Sequence, residues 1–390
     1  MKKKFLNLIL FFILIILITA IIIFGMYIYK EFFGENTDPI LYKVDKIFIE
    51  EPVEEPDLEK KLPTENTSVS IAELIQPQTK IEDSEVQNTN QNANHNQNIN
   101  QNTAFHFFYN QLNNNQKIIY DGLMNNKKYL KQGNYVINYK DAFTNTLLQE
   151  NGADILGDDY QSAIEAFTHD NVDIFYLDVN KMYLNIETST KFFKTTYNVY
   201  ISAASSSNYL SDEFQTADKI EKAILEIEKE KDKIIKHLNG TEHQNILFIH
   251  DYLVNNIEYD STYKSTGSYN IYGALIEKRC VCEGYAKAFK YLTNCAGYNC
   301  ELMQGVATNS SGESENHAWN CIKLNGIWYQ VDTTWDDPII IGGNGRTNND
   351  IKYRYFLKGS NTFNRDHVLE YQFSDKGKIF SYPSMSISDY

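Results

Sequence analysis

NHAWNCIKLNGIWYQVDTT, residues 316–334, is the stretch on which the reading of this chain turns. Two strand-like runs, 316–324 and 327–334, flank Asn325-Gly326, a dipeptide that favours the two-residue type I′ hairpin turn. If Leu324 faces Ile327, paired residue numbers sum to 651, so Trp319 faces Asp332 and His317 faces Thr334. Side chains alternate between faces, which puts His317, Trp319 and Asp332 on the same face. His317 and Asp332 are then diagonal neighbours with backbones roughly 7–8 Å apart, a gap that an imidazole and a carboxylate close with a hydrogen bond. A slip of one residue would separate them. Taken alone, His317 reads more readily as a satisfied core histidine.

Upstream, CEGYAKAFKYLTNCA (282–296) carries apolar residues at Tyr285, Ala286, Phe289 and Leu292 and stops before Gly297. This spacing predicts a helix that starts at or beside Cys282 and has one buried face. Unpaired N–H groups and the positive end of the dipole at a helix start favour thiolate over thiol, which activates nucleophilic cysteines. The plainer readings of Cys282 are a small core residue or half of a disulfide. All five cysteines (Cys280, Cys282, Cys295, Cys300, Cys321) fall in this part of the chain, and an odd count leaves at least one thiol unpaired if the chain is exported. A nucleophile needs a base, and the base needs an orienting group; Cys282, His317 and Asp332 supply the three types.

The segments VCEGYAKAF (281–289), NHAW (316–319) and WYQVDTTWDDP (328–338), in that order, resemble the three motif blocks of the transglutaminase-like superfamily, in particular its bacterial membrane-anchored surface type. The resemblance covers roughly 215–340. It implies an α+β fold with a papain-like Cys-His-Asp core, the nucleophile's helix packed on an antiparallel sheet that carries the other two residues. By the same resemblance Cys282 is the nucleophile, His317 the general base and acid, and Asp332 the residue that orients the imidazole. Glu283 follows the nucleophile where animal members have tryptophan, so animal-type substrate choice and calcium dependence are not implied. The activity implied is a cysteine acyltransferase or peptidase acting on protein or peptide carboxamides, with water giving hydrolysis and a lysine amine giving an isopeptide crosslink. The Cys282 N–H is one expected oxyanion donor and Tyr272 a candidate for the second. Trp319, Trp328 and Trp335 are expected to wall the site, with Asp336 and Asp337 as loop carboxylates. No cofactor and no metal are expected: His237, His243 and His250 lie on two predicted helices without ligand spacing. The alternative is a non-catalytic interaction module that keeps the fold and binds a partner at the cell surface.

Further out, the composition divides the chain. It has 390 residues, 42% hydrophobic, which is enough for a sizeable core. Thirty-six basic against fifty-one acidic side chains give a net charge of −15, a sign that repels polyphosphate, so nucleic acid is not an expected partner. Residues 1–4 read as a cytoplasmic tail. The uncharged run Phe5 to Tyr29 spans roughly 37 Å as helix and reads as a single transmembrane segment. Lysines before it and acids after it predict a cell-membrane protein with its C-terminal part extracellular, exposed to substrates at the cell envelope. Residues 30–104 are acidic, proline-containing and then asparagine-rich, and read as a disordered linker with a root-mean-square span of roughly 50 Å. A smaller α/β region is expected at 105–210, with His106 and His169 as surface or cap residues and strands at Val172–Val179, Met182–Ile186 and Tyr197–Ser202. The catalytic domain is expected at 211–390. Within it Ile220, Ile224, Ile227, Ile234 and Leu238 mark one helix, and Thr241 with Gln244 form a capping box that opens the next.

Overall fold

The computed structural model describes residues 40–43, 106–191, 194–204, 207–262, 266–337, 352–374 and 376–390. The proposed transmembrane segment and most of the proposed linker lie outside these residues. Among the described residues no helix is long and apolar enough to cross a membrane.

In chain order the main elements are β1 (Ile40–Lys43), α1 (Asn114–Asn125), β2 (Ile137–Lys140), α2 (Gly152–Asp170), β3 (Met182–Lys191), β4 (Lys194–Ala203), α3 (Ala217–Ile235), α4 (Glu242–Asn256), β5 (Glu258–Tyr259), β6 (Arg279–Cys280), α5 (Cys282–Cys295), β7 (Cys300–Thr308), β8 (Ser314–Leu324), β9 (Ile327–Val331) and β10 (His367–Leu369). One antiparallel sheet has the order β1-β3-β4-β2 and a second β10-β7-β8-β9; β5 and β6 form a short parallel pair. The result is a mixed α/β protein in which a helix packs on an antiparallel sheet.

Local chemistry sets several of these boundaries. Thr241 accepts from the Gln244 N–H and Gln244 reaches back to the Thr241 N–H, the reciprocal cap that opens α4. Asn113 and Gln116 do the same for α1. At the β8–β9 turn Asn325 has φ 51° and Gly326 φ 85°, and Leu324 pairs with Ile327 and Asn320 with Val331, so the register of the hairpin is the one its turn residues dictate.

Two expectations are corrected here. Val172–Val179 is turn and coil rather than strand, with a single bridge from Leu177 to Leu210 as its β-pairing; its buried apolar residues Val172, Ile174 and Phe175 pack as a loop on the core. And 30–104 is not tether throughout, because Ile40–Lys43 adds a strand to the edge of β3, a backbone ladder that the acidic composition did not signal. The regions 105–210 and 211–390 also share one core: Phe108 packs on Phe373, Phe380 and Tyr382, and Gln111 and Ser381 exchange hydrogen bonds of 3.1 and 2.7 Å.

Candidate active site

The helix α5 begins at Cys282, with Val281 as an extended N-cap. Its first turn is packed so closely that a Cβ on Gly284 would stand 2.6 Å from the Ser268 carbonyl oxygen and 2.9 Å from the Cys280 sulfur. The face of α5 toward β8 is tied down by the Asn320 side-chain amide, which donates to the Ala286 carbonyl at 2.9 Å. Cys282, Ala286, Leu302 and Ala318 make one small buried cluster there. Ala318 follows His317 directly. The paired part of β9 ends opposite Asn320, so residues 316–319 of β8 have no β9 partner on that side.

His317 and Asp332 meet as the hairpin register requires: His317 Nε2 donates to Asp332 Oδ2 at 2.8 Å, with both side chains buried. The other oxygen, Oδ1, accepts the backbone N–H groups of Thr334 at 2.9 Å and Trp335 at 3.1 Å. Burial alone would raise Asp332, but the charges and hydrogen bonds of His317 and His367 outweigh it and hold the carboxyl well below the usual carboxylate range.

His367 was not anticipated. Its Nε2 donates to the same Asp332 Oδ2 at 3.2 Å and its Nδ1 to Asp366 Oδ1 at 2.8 Å. It arrives on β10, a strand of only three residues paired with β7. That pairing needs Gly305, which sits opposite both His317 and Leu369; a Cβ there would be 2.1 Å from the Val368 carbonyl oxygen and 2.8 Å from the Trp319 ring. Such closeness leaves no room for a side chain. Among the described residues the donor atoms of His317, Asp332 and His367 all lie within 4.8 Å of one another, near enough for a shared ion. The ring N–H bonds to Asp332 account for that approach without one.

The loop that carries Asp332 is pinned from three sides, and its carboxylates Asp336 and Asp337 are buried and act as braces. Asp336 accepts from His250 Nε2 of α4 at 3.0 Å and from the Tyr355 N–H at 2.8 Å. Asp337 accepts from the Tyr285 hydroxyl of α5 at 2.7 Å. Burial pushes Asp336 up to about 7 despite His250, and His250 is itself raised, since its bonds to Asp251 and Asp336 outweigh burial. Asp336 and Asp337 close the third motif block, in a pattern that sequence alone does not separate from surface loop acids.

Trp319 and Trp335 flank the His317 ring at centroid distances of 6.2 and 5.3 Å, and Trp328 packs against the same cluster. Tyr272 donates its hydroxyl to Glu226 at 3.0 Å and packs on Phe175 and Phe214, so it serves packing rather than an oxyanion. His169 is no surface residue: it is buried, stacked on Phe373 and within 2.9 Å of the Gln304 side chain. It also lines a cavity of about 260 Å³ between α2 and the first turn of α5, whose walls include Phe167, Phe175, Leu177 and Leu302 with Glu283 and Lys287. None of the five cysteines is in a disulfide. Burial pushes Cys280 and Cys321 well up and Cys300 up to about 12.

The sequence pattern of the transglutaminase-like superfamily matches residues 231–333, the span that holds Cys282, His317 and Asp332. The kyphoscoliosis peptidases of Mus musculus and Homo sapiens are 28% identical over 126 and 110 residues, which is 30% and 26% of this chain. Those stretches are 19% and 17% of the two relatives, so the chain spans less than a fifth of their length. Among solved structures, the crystal structure of a TGase is 13% identical over 38% of this chain and 44% of that one, with a TM-score of 0.26. The periplasmic domain of TgpA from Pseudomonas aeruginosa bound to ethylmercury is 14% identical over 37% and 58%, with a TM-score of 0.23.

Proposed function

We propose that the transglutaminase-like domain at residues 231–333 is a cysteine acyl-transfer enzyme in which Cys282 is the nucleophile, His317 the base and acid, and Asp332 the orienting carboxylate. The observation that carries this is the buried 2.8 Å bond from His317 Nε2 to Asp332 Oδ2, with Cys282 at its helix start in one cluster with Ala318, the residue after His317. With Nε2 held by the carboxylate, Nδ1 is the ring nitrogen left to exchange a proton with the thiol.

The Cys282 thiolate attacks a peptide or carboxamide carbonyl carbon, and the carbonyl electrons move onto oxygen. The backbone N–H of Cys282, at the start of α5, is the donor we assign to that oxyanion. As the intermediate collapses the C–N bond breaks, His317 hands its proton to the departing amine, and a thioester to Cys282 remains. His317 then takes a proton from water, the hydroxide attacks the thioester, and the acid leaves as the thiol is restored. A lysine amine in place of water would give an isopeptide bond. Two relatives of this stretch carry the word peptidase in their names, which favours water. The cavity beside Glu283 and Leu302 is the place we assign to a substrate side chain. We place this enzyme outside the cytoplasmic membrane on the strength of the run Phe5 to Tyr29 and its flanking charges.

Incubation of the full-length protein with unfolded proteins and a fluorescent primary amine tests the reaction. Cys282-dependent chain cleavage without amine incorporation is expected. Cys282-dependent labelling would mean transfer to amines, and activity indifferent to Cys282→Ala would overturn the assignment.

A further inference from the structure

We propose that His367 is a positioning residue of this site, a buried imidazolium clamped between Asp332 and Asp366 that fixes the orienting carboxylate and adds a positive charge beside His317. The inference rests on the acyl-transfer reading above. Both ring nitrogens of His367 face carboxylate oxygens, Nε2 to Asp332 Oδ2 at 3.2 Å and Nδ1 to Asp366 Oδ1 at 2.8 Å. An ionised carboxylate only accepts, so both nitrogens must donate, which requires the doubly protonated ring. Asp366 is held in turn by the Tyr355 hydroxyl at 2.7 Å and feels the charge of Arg354. Around the ring lie Phe363 at 4.2 Å, Trp335 at 4.7 Å, and Tyr355 and Trp319 at 5.2 Å, so the side chain has no other place to go. In keeping with this, burial would lower His367, and its two carboxylate partners outweigh burial and raise it.

Two consequences follow for the chemistry. The first is geometric. With two backbone N–H groups on Oδ1 and two imidazoles on Oδ2, Asp332 has one possible orientation, and the His317 ring is aimed by it. The second is electrostatic. The His367 and His317 ring centroids are 5.6 Å apart, so a charge on His367 opposes a second charge on His317, while Asp332 between them favours both. The titratable and charged groups that bear on His367 directly or through its partners are Asp332, Asp366, His317, Tyr355 and Arg354.

The test is the pH profile of kcat/KM of the full-length protein. In His367→Gln the amide keeps a donor toward Asp332 and loses the charge. In Asp366→Asn the imidazole stays and no longer needs its second proton. Both variants, at native near-ultraviolet circular dichroism, should move the alkaline limb of the profile to higher pH by about two units, the effect of removing a unit charge 5.6 Å away at an effective dielectric near 20. Tyr355→Phe, which removes a bond to Asp366 but no charge, should leave that limb in place. An alkaline limb unmoved in either folded variant, with Cys282→Ala inactive, reduces His367 to packing and overturns the inference. Full activity in Cys282→Ala would instead overturn the acyl-transfer reading itself, so the two failures are told apart.

Discussion

Replacing Asp332 by Asn isolates what one buried carboxylate does. In the native site four donors converge on it, two backbone N–H groups on Oδ1 and two imidazole N–H groups on Oδ2. Asparagine offers one acceptor and one donor in the same space. With its oxygen on the backbone side, its NH₂ meets two ring N–H groups; with its oxygen turned over, the N–H groups of Thr334 and Trp335 face a donor. Hydrogen bonds to a charged group contribute about 1.5–3 kcal/mol each, so two lost bonds cost about 3–6 kcal/mol before relaxation. His317 can relieve one clash by moving its proton to the other nitrogen, but that tautomer presents the wrong atom to the thiol. The expected loss in kcat is on the order of 10³–10⁴, as when the orienting carboxylate of a catalytic triad is made an amide. Stability should fall as well, and with a defined pH dependence. Asp332 is depressed in the folded chain, so its contribution is present above the unfolded carboxylate value and is lost as pH falls through the folded one. The gap in melting temperature between wild type and Asp332→Asn should therefore be widest near neutrality and close on acidification. A folded Asp332→Asn protein with kcat within tenfold of wild type, or a gap that widens in acid, would refute the reasoning.

Other outcomes follow from the same packing. A brief sub-stoichiometric pulse of iodoacetamide should label Cys282 first. Cys280, Cys300 and Cys321 are buried thiols pushed upward, and Cys295 is pushed up to about 11 by desolvation, which Lys231 opposes and Glu228 and Asp173 reinforce; faster labelling of Cys295 or Cys280, read by mass spectrometry, would refute the helix-start argument. His250 and Asp336 are both raised on folding, so the stability they contribute is present at low pH and is lost as pH rises through their folded values, about 7 for Asp336. Melting temperature should decline from pH 5 to 8 with a slope that Asp336→Asn flattens, and an unchanged slope by calorimetry would count against the pair. Filling the 260 Å³ cavity with Val172→Trp should raise KM for peptides several-fold and leave kcat within about twofold, and a KM unaffected by the substitution would remove that cavity from the substrate path.

What the sequence made legible was whatever its chemistry fixes locally. Asn325-Gly326 accepts positive φ at two successive positions, so the hairpin has one register, and that register alone brings His317 to Asp332. The Thr241–Gln244 cap and the apolar face that starts after Cys282 are equally local. His367 was illegible because β10 is three residues long and its place is set by Gly305, sixty-two positions earlier, through a contact that has no sequence signature. Asp336 and Asp337 escaped for a related reason: their partners His250 and Tyr285 come from two other helices, and an Asp-Asp pair before proline looks like a solvated turn until those helices are packed. The strand Ile40–Lys43 lies in a stretch whose composition reads as unfolded, and only the free edge of β3 gives it a partner.

The boundary drawn at 210 and 211 carries the last prediction. Composition and the motif blocks separate a smaller region from a catalytic one, but the packing does not respect the cut. Phe108 lies against Phe380 at 5.1 Å, Tyr382 at 5.9 Å and Phe373 at 6.4 Å, and His169 stacks on Phe373 at 4.5 Å. Phe373 and Phe380 are buried, and Phe108 and His169, both before residue 211, form part of their cover. Removing that cover returns at least two large aromatic side chains to water at about 1.5–3 kcal/mol each, and strips Gln304 and Ser381 of their partners in addition. Against a total stability of about 5–15 kcal/mol, a loss of that size leaves little margin. Residues 211–390 expressed alone should therefore bind hydrophobic dye and melt without a cooperative transition, and adding 105–210 back to the chain should restore one. A sharp, reversible unfolding of 211–390 within a few degrees of the full-length protein would show instead that the catalytic part closes its own core, and that the region before it is an accessory.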